Sequence, residues 1–278
     1  MKIAISAEST ADMTKSLMEE YDVHTIPFQV LLGENEYKDG EISPNEIFDY
    51  VKKTKILPKT SAINEMDYQE YFASLLKDYD AVVHITLSSG LSSSYSNAEK
   101  ASKTMNNVYV IDSKSLSTGI ALLVLFASKL AKSGKSAEEV YALTMEQIGK
   151  VQASFVIDKL DYLYKGGRCS ALSLFGANLL SIHPQIILSE GKMKVHRKYR
   201  GKMEKVVTNY CADTLVEFAD ANLDTAFITY TTATEEMISI ARTALENKGF
   251  KNIYETKAGA TISSHCGENT LGILYLNK

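Results

Sequence analysis

Short, continuous apolar runs alternate with amphipathic stretches through the first half of the chain. "KIAISA" (2–7), "VHTIPFQVLL" (23–32), "AVVHITL" (81–87) and "VYVIDS" (108–113) have the length and β-branched content of buried strands. "MTKSLMEEY" (13–21) and "TSAINEMDYQEYFASLLKDY" (60–79) contain helix patterns. Ser9, Thr10 and Asp12 are cap candidates for the first, and Asn64 for the second. "GENEYKDG" (33–40) reads as a turn-rich excursion. Ser43 and Glu46 form a capping box with Pro44 at the first helical position, and Ser136 with Glu139 opens a later helix. This alternation predicts an α/β, parallel-sheet three-layer domain.

The pattern changes after about Lys150. "ASFVID" (153–158) is a strand, and "LDYLYKGG" (160–167) is a short helix stopped by its glycines. "PQIILSEGKMKVHRKYR" (184–200) reads as a hairpin turning at Glu190-Gly191. A long helix, the strand "TAFITYT" (225–231), a further helix, "NIYETKAG" (252–259) and "LGILYL" (271–276) follow. Hairpins mixed with helices predict a second, smaller α+β domain. The expected division is 1–150 and 151–278, closely packed because no long linker, repeat or low-complexity segment separates them.

Composition narrows the function classes. The 278 residues are 45% hydrophobic, enough for one large or two moderate cores. A net charge of -4 and a pI near 5.8 disfavour a nucleic-acid partner. Cys169, Cys211 and Cys266 are far apart and form no Cys-x-x-Cys pair, so neither a disulfide framework nor a metal site is indicated. "GIALLVLFA" (119–127) falls well short of the ~20 residues of a membrane span. With no signal peptide in "MKIAISAEST", the expectation is a cytoplasmic protein without stable membrane insertion.

The densest polar chemistry lies where a strand turns into a helix. "SSGLSSSYSNA" (88–98) brings Ser88, Ser89, Ser92, Ser93 and Ser94 to one bend with Gly90. Unpaired backbone N–H groups and the helix dipole make such a bend suited to an anion. Capping accounts for one or two of these hydroxyls, not five, and Gly90 would let the backbone approach a ligand. Thr60-Ser61 form a second hydroxyl pair one helix earlier, able to reach the same sheet edge. His265 in "SSHCGENTLG" (263–272), between strand-like segments, is the histidine most suited to face a ligand. His84 reads as a satisfied core residue. Arg168, after a glycine pair, reads either as an orienting charge or as a surface arginine.

Ser92 and His265 also allow a serine hydrolase acting on acyl esters, because Gly90-Leu91-Ser92 begins a nucleophile elbow. Ser94, however, occupies the second glycine position of that motif. A sugar- or phosphate-binding module is a third reading. No nucleotide-binding glycine motif occurs, and no cofactor is expected. "KMKVHRKYRGKMEK" (192–205) is a basic stretch in an acidic chain. It reads as a solvated hairpin face or as a docking patch around Arg197, Arg200 and Lys202.

Taken in order, "ESTAD" (8–12), "PKTSAIN" (58–64), "SSGLSSSYSNA", "VIDSKSLSTG" (110–119), "LDYLYKGGRCS" (160–170) and "HCGENTLG" (265–272) resemble the DegV family. Its members include the fatty-acid-binding subunits of bacterial fatty acid kinase. Departures from the family pattern fall at Glu8, Ala62, Ile63, Ser93, His183, Glu268 and Asn269. The resemblance implies a long-chain fatty acid held between two domains. Its carboxylate would lie at Thr60, Ser61, Ser92, Ser93, Arg168 and His265. It also implies a separate ATP-dependent fatty acid kinase subunit that turns the bound lipid into an acyl phosphate for phospholipid synthesis. The chain itself would then be a non-catalytic, substrate-presenting partner.

Overall fold

A computed structural model describes residues 1–169 and 182–278. Its first sheet contains β1 (Ile3–Glu8), β2 (Val23–Ile26), β6 (Ala81–Thr86) and β7 (Val108–Asp112), all parallel, in the order β2-β1-β6-β7. Ile5 pairs with Val83 and Ala7 with Thr25. The strand order reverses between β1 and β6, so a crevice opens at their C-terminal ends, the position that ligands favour in such sheets. Helices α1 (Lys15–Tyr21), α3 (Glu65–Leu75), α4 (Ser94–Ser102) and α6 (Ala137–Gln147) belong to this half. Asn64 caps α3 through Asp67 N–H, and the Ser43 and Ser136 capping boxes form as their spacing predicts. The first helix differs: Thr14 caps it, and Asp12 turns away in a left-handed conformation with φ 51°.

The run 23–32 is not one strand. Pro27 has no N–H to give a ladder, and the chain leaves the parallel sheet there. It re-forms as β3 (Gln29–Leu32), paired antiparallel with β4 (Asn35–Lys38) and β5 (Lys59–Ser61). The turn-rich excursion is therefore a hairpin, turning at Gly33 with φ 65°. This small sheet shares a core with α2 (Pro44–Thr54) through Val30, Ile47 and Phe48, together with Tyr162 and Ala260.

The second large sheet comprises β8 (Val151–Val156), β9 (His183–Ser189), β10 (Lys192–Tyr199), β11 (Ala221–Tyr230), β12 (Asn252–Lys257) and β13 (Leu271–Asn277). Its order is β10-β9-β8-β13-β11-β12, antiparallel except for β11–β12. The β9–β10 hairpin turns at Glu190 and Gly191, with φ 52° and 77°. Helices α8 (Met203–Glu217) and α9 (Glu235–Lys248) share an apolar core with this sheet. A parallel sheet beside a mostly antiparallel one is the α/β plus α+β organisation that the hydrophobic pattern predicts.

Helix α5 (Thr118–Lys132) joins the two large sheets. Ile120, Leu123 and Val124 enter the core of the first sheet. Ala121, Leu122 and Leu125 meet Ala153, Phe227 and Leu274 of the second. A helix apolar on opposite faces is what a position between two layers requires. Two further helices, α7 (Leu160–Lys165) and α10 (Ala260–Cys266), sit where the three sheets converge. The hydrophobic pattern shows no helix over 260–266, because seven residues hold too few turns to show a period.

Candidate functional site

Strand β5, the bend after β6, and the ends of α7 and α10 converge on one cavity. Thr60, Ser92, Thr261, His265 and Arg168 form its polar part, with Thr261 Oγ1 buried and unpartnered, while Phe28, Leu87, Leu91, Leu116, Met193 and Ile262 form much of the remaining wall. Leu116, Ile262 and Cys266 also line an adjoining cavity that reaches Phe155 and Leu274. A polar end therefore leads into an apolar interior between the parallel and six-stranded sheets.

Thr60 is aimed by strand alternation. Its neighbours in β5 point to the opposite face, so Thr60 and Ala62 line the cavity and Ser61 does not. Thr60 Oγ1 lies 2.8 Å from His265 Nε2. The other ring nitrogen, Nδ1, is buried against Gly166 without a partner. A buried N–H without an acceptor is rarer than a buried lone pair without a donor. The proton is accordingly assigned to Nε2, which donates to Thr60 and leaves the threonine O–H free to donate into the cavity. Burial, reinforced by the Arg168 charge, lowers the His265 pKa to about 4, so the ring is neutral at pH 7.

Helix α10 owes its placement to two distant carboxylates. Asp12 Oδ1 accepts the Gly259 N–H at 2.7 Å, and Asp39 Oδ1 accepts the Ala260 N–H at 2.8 Å. They satisfy donors that the helix itself leaves uncapped. Ser117 Oγ and Ser9 Oγ in turn donate to Asp12 and Asp39, at 2.5 and 3.0 Å. His265 thus reaches the cavity because the first turn of its helix is tied to loops after β1 and β4.

Most hydroxyls of the serine bend stitch the bend together rather than face a ligand. Ser88 Oγ donates to Gly191 O at 2.7 Å and accepts the Gly90 N–H at 3.1 Å. Ser89 receives Lys114 Nζ at 2.9 Å and donates its N–H to Asp112. Gly90 makes room for the Gly191 carbonyl, which a Cβ would strike, and not for a ligand. Ser94 is buried beside Tyr68, and Ser93 is exposed at the start of α4. Of the five, Ser92 alone lines the cavity, its Oγ accepting the Ser94 N–H at 3.2 Å.

Beneath this bend lies Glu8, fully buried at the end of β1. Its carboxyl accepts the Leu87 N–H at 2.6 Å, the Tyr68 O–H at 2.5 Å and Thr10 Oγ1 at 3.3 Å. Tyr68 Oη also lies 3.0 Å from Ser94 Oγ. Glu8 thereby ties β1, α3, the bend and α4 into one frame. Sequence reasoning assigned no role to Glu8, Asp39 or Tyr68. The "ESTAD" motif marked Glu8 and Asp12 as a landmark, whereas nothing local marked Asp39.

Arg168 is exposed at the cavity rim, where Nη1 donates to Gly166 O at 2.6 Å. Ser170, the last residue of its motif, lies outside the described residues. His84 is only half satisfied: Nδ1 lies 2.7 Å from Ser6 Oγ, while Nε2 has no partner and burial lowers the pKa to about 3. In the basic stretch, Arg197 is engaged by Glu217 at 2.8 Å and Asp213 at 3.7 Å. Arg200 and Lys202 are exposed between β10 and α8. Among the described residues no cluster could hold a metal ion, and no helix is long and apolar enough to cross a membrane.

The family model described as uncharacterised protein, DegV family, matches residues 2–278. A DegV domain-containing protein of Caldanaerobacter subterraneus subsp. tengcongensis is 30% identical over 282 residues, covering 100% of this chain and 99% of the relative. A fatty acid-binding protein of Thermotoga maritima is 35% identical over 213 residues, 74% of each chain. A solved structure described as fatty acid binding of a DegV family protein from Thermus thermophilus superposes with a TM-score of 0.92 at 27% identity, covering 100% of both chains. The chain belongs to the DegV family.

Proposed function

We propose that this protein binds a long-chain fatty acid between the parts formed by 1–150 and 151–278, and presents its carboxylate to a separate ATP-dependent kinase subunit. The observation that carries the binding reading is the cavity itself. Neutral hydroxyls at Thr60, Ser92 and Thr261, the neutral His265 ring and the exposed Arg168 at the rim stand in a wall that is otherwise apolar. Hydroxyls hold a carboxylate by hydrogen bonds without the tight ion pair that would blunt its nucleophilicity. A tail of about sixteen carbons buried at ~0.8 kcal/mol per methylene contributes roughly 12 kcal/mol as an upper bound. Micromolar affinity requires only about 8 kcal/mol, so the surplus can offset ordering costs and the head group need only be oriented. The fatty-acid-binding relatives from Thermotoga maritima and Thermus thermophilus support the same ligand class.

The kinase reading rests on the family resemblance and on exposed Arg200 and Lys202, which suit an acidic partner. The hydrolase reading gains nothing from the geometry. His265 bonds Thr60 rather than Ser92, and its lowered pKa makes it a weak base at neutral pH. Cys266 is buried with its thiol pushed up to about 12, far from a nucleophile's range. Extraction of the purified protein into organic solvent followed by mass spectrometry tests the binding reading: one fatty acid per chain is expected. A protein that carries none, and takes up none in a calorimetric titration, would overturn it. Addition of the kinase subunit and ATP to the loaded protein tests presentation, with acyl phosphate as the expected product.

A further inference from the structure

Helices α7 and α10 are interlocked by one glycine from each. Gly166, at the end of α7, faces the His265 ring so closely that an added Cβ would sit 2.7 Å from Nδ1. Gly267, just after α10, adopts φ 77° and ψ -178° and faces the Tyr162 ring of α7, where a Cβ would again lie 2.7 Å away. Neither contact leaves room for one helix to slide past the other. The orientation of the ring that meets Thr60 therefore depends on where α7 lies. With six residues and no side-chain N-cap, α7 has little helical stability of its own; Leu160, Tyr162 and Leu163 bury its inner face, and its N-terminal end depends on further contacts.

A charged cluster pins its base. Glu268 receives Lys52 Nζ from α2 at 2.7 Å and Lys159 Nζ, immediately before α7, at 2.6 Å. Asn269 Nδ2 donates to Asp158 Oδ2 at 2.9 Å, and the Asn269 N–H bonds Thr232 Oγ1 at 3.1 Å. Asp158 Oδ1 also lies 3.4 Å from His183 Nδ1. The Glu268 side chain is 14% exposed against 58% and 51% for the two lysines, so its carboxylate is the sheltered hub of the cluster.

We propose that Glu268 is a positioning residue for the head-group site: by holding Lys52 and Lys159 together it clamps α7 onto α10, fixes the His265–Thr60 pair, and sets how fast a bound carboxylate leaves. The last clause rests on the fatty-acid reading; the clamp itself does not. The two ammonium groups stand more than half exposed, so salt screens their attraction to Glu268 in part, and the clamp loosens as ionic strength rises.

The test uses Glu268→Gln, which keeps shape and removes charge, and a charge-swapped triple variant, K52E/K159E/E268K. In lipid-free protein, hydrogen exchange of the α7 amides and nitrogen NMR of the His265 ring report the clamp. In fatty-acid-loaded protein, stopped-flow release to albumin at low and high salt reports its consequence. Expected for Glu268→Gln are about tenfold faster α7 exchange, a mixed-tautomer His265 signal and about tenfold faster release at low salt. The charge swap should restore all three, and salt should speed release from the wild type but not from Glu268→Gln. Unchanged ring signal and release despite a lower melting temperature would reduce Glu268 to a structural ion pair, as would failure of the swap to rescue. A wild type that binds no fatty acid would end the functional reading, while the exchange and ring measurements would still decide the clamp.

Discussion

Glu8 offers the sharpest test of how the site is framed. Burial raises its pKa from 4.5 to about 7, against the lowering effect of its hydrogen bonds from Tyr68 and Leu87. Between these values the folded chain keeps a proton that the unfolded chain has released. A raised carboxyl therefore stabilises fully below its unfolded pKa, and that stabilisation is lost as pH rises through the folded value. At about 1.4 kcal/mol per pH unit, the interval is worth about 3 kcal/mol. Glu8→Gln removes the titration and keeps the frame. Its amide oxygen can accept from Leu87, while its NH2 donates to Tyr68 Oη, whose own O–H turns to Ser94. Urea unfolding of both proteins from about pH 4 to pH 8 isolates the effect, since other titrations are common to both and cancel. The stability difference should move towards the variant by about 3 kcal/mol across that range. Parallel curves would refute the reasoning. A shift towards the wild type would show that three donors outweigh burial and hold the carboxylate ionised.

Thr60→Ala and Ser92→Ala should each weaken fatty-acid binding by about 1–3 kcal/mol in calorimetric titration, and wild-type affinity in the double mutant would remove both hydroxyls from the site. Gly166→Ala places a methyl 2.7 Å from His265 Nδ1 at a backbone conformation that any residue adopts, so its effect is steric. It should cost about 1–3 kcal/mol in urea unfolding and weaken the Thr60 bond, seen as an altered His265 ring signal; an unchanged ring would contradict the interlock. Arg200→Glu should raise the kinase's apparent KM for the loaded protein, most at low salt, with lipid affinity unchanged. Equal kinetics at low salt would return Arg200 to a solvated face.

What the sequence determined by itself was local. The capping boxes at Ser43 and Ser136, the Glu190-Gly191 turn and the order of strands and helices follow from backbone chemistry within a few residues. The family motifs likewise placed Thr60, Ser92, Arg168 and His265 among the candidates, and the fold gathers these four around one cavity. Tertiary structure decided the rest. It separated Thr60 from Ser61 and Ser92 from Ser93, because exposure to a cavity depends on what packs opposite each face. It split 23–32 between two sheets and made a helix of 260–266. It gave Glu8 to the serine bend, 79 residues away, and Asp12 to the start of α10, 247 residues away. A buried carboxyl must find donors wherever the chain brings them, and no local period records a partner supplied by another layer of the fold.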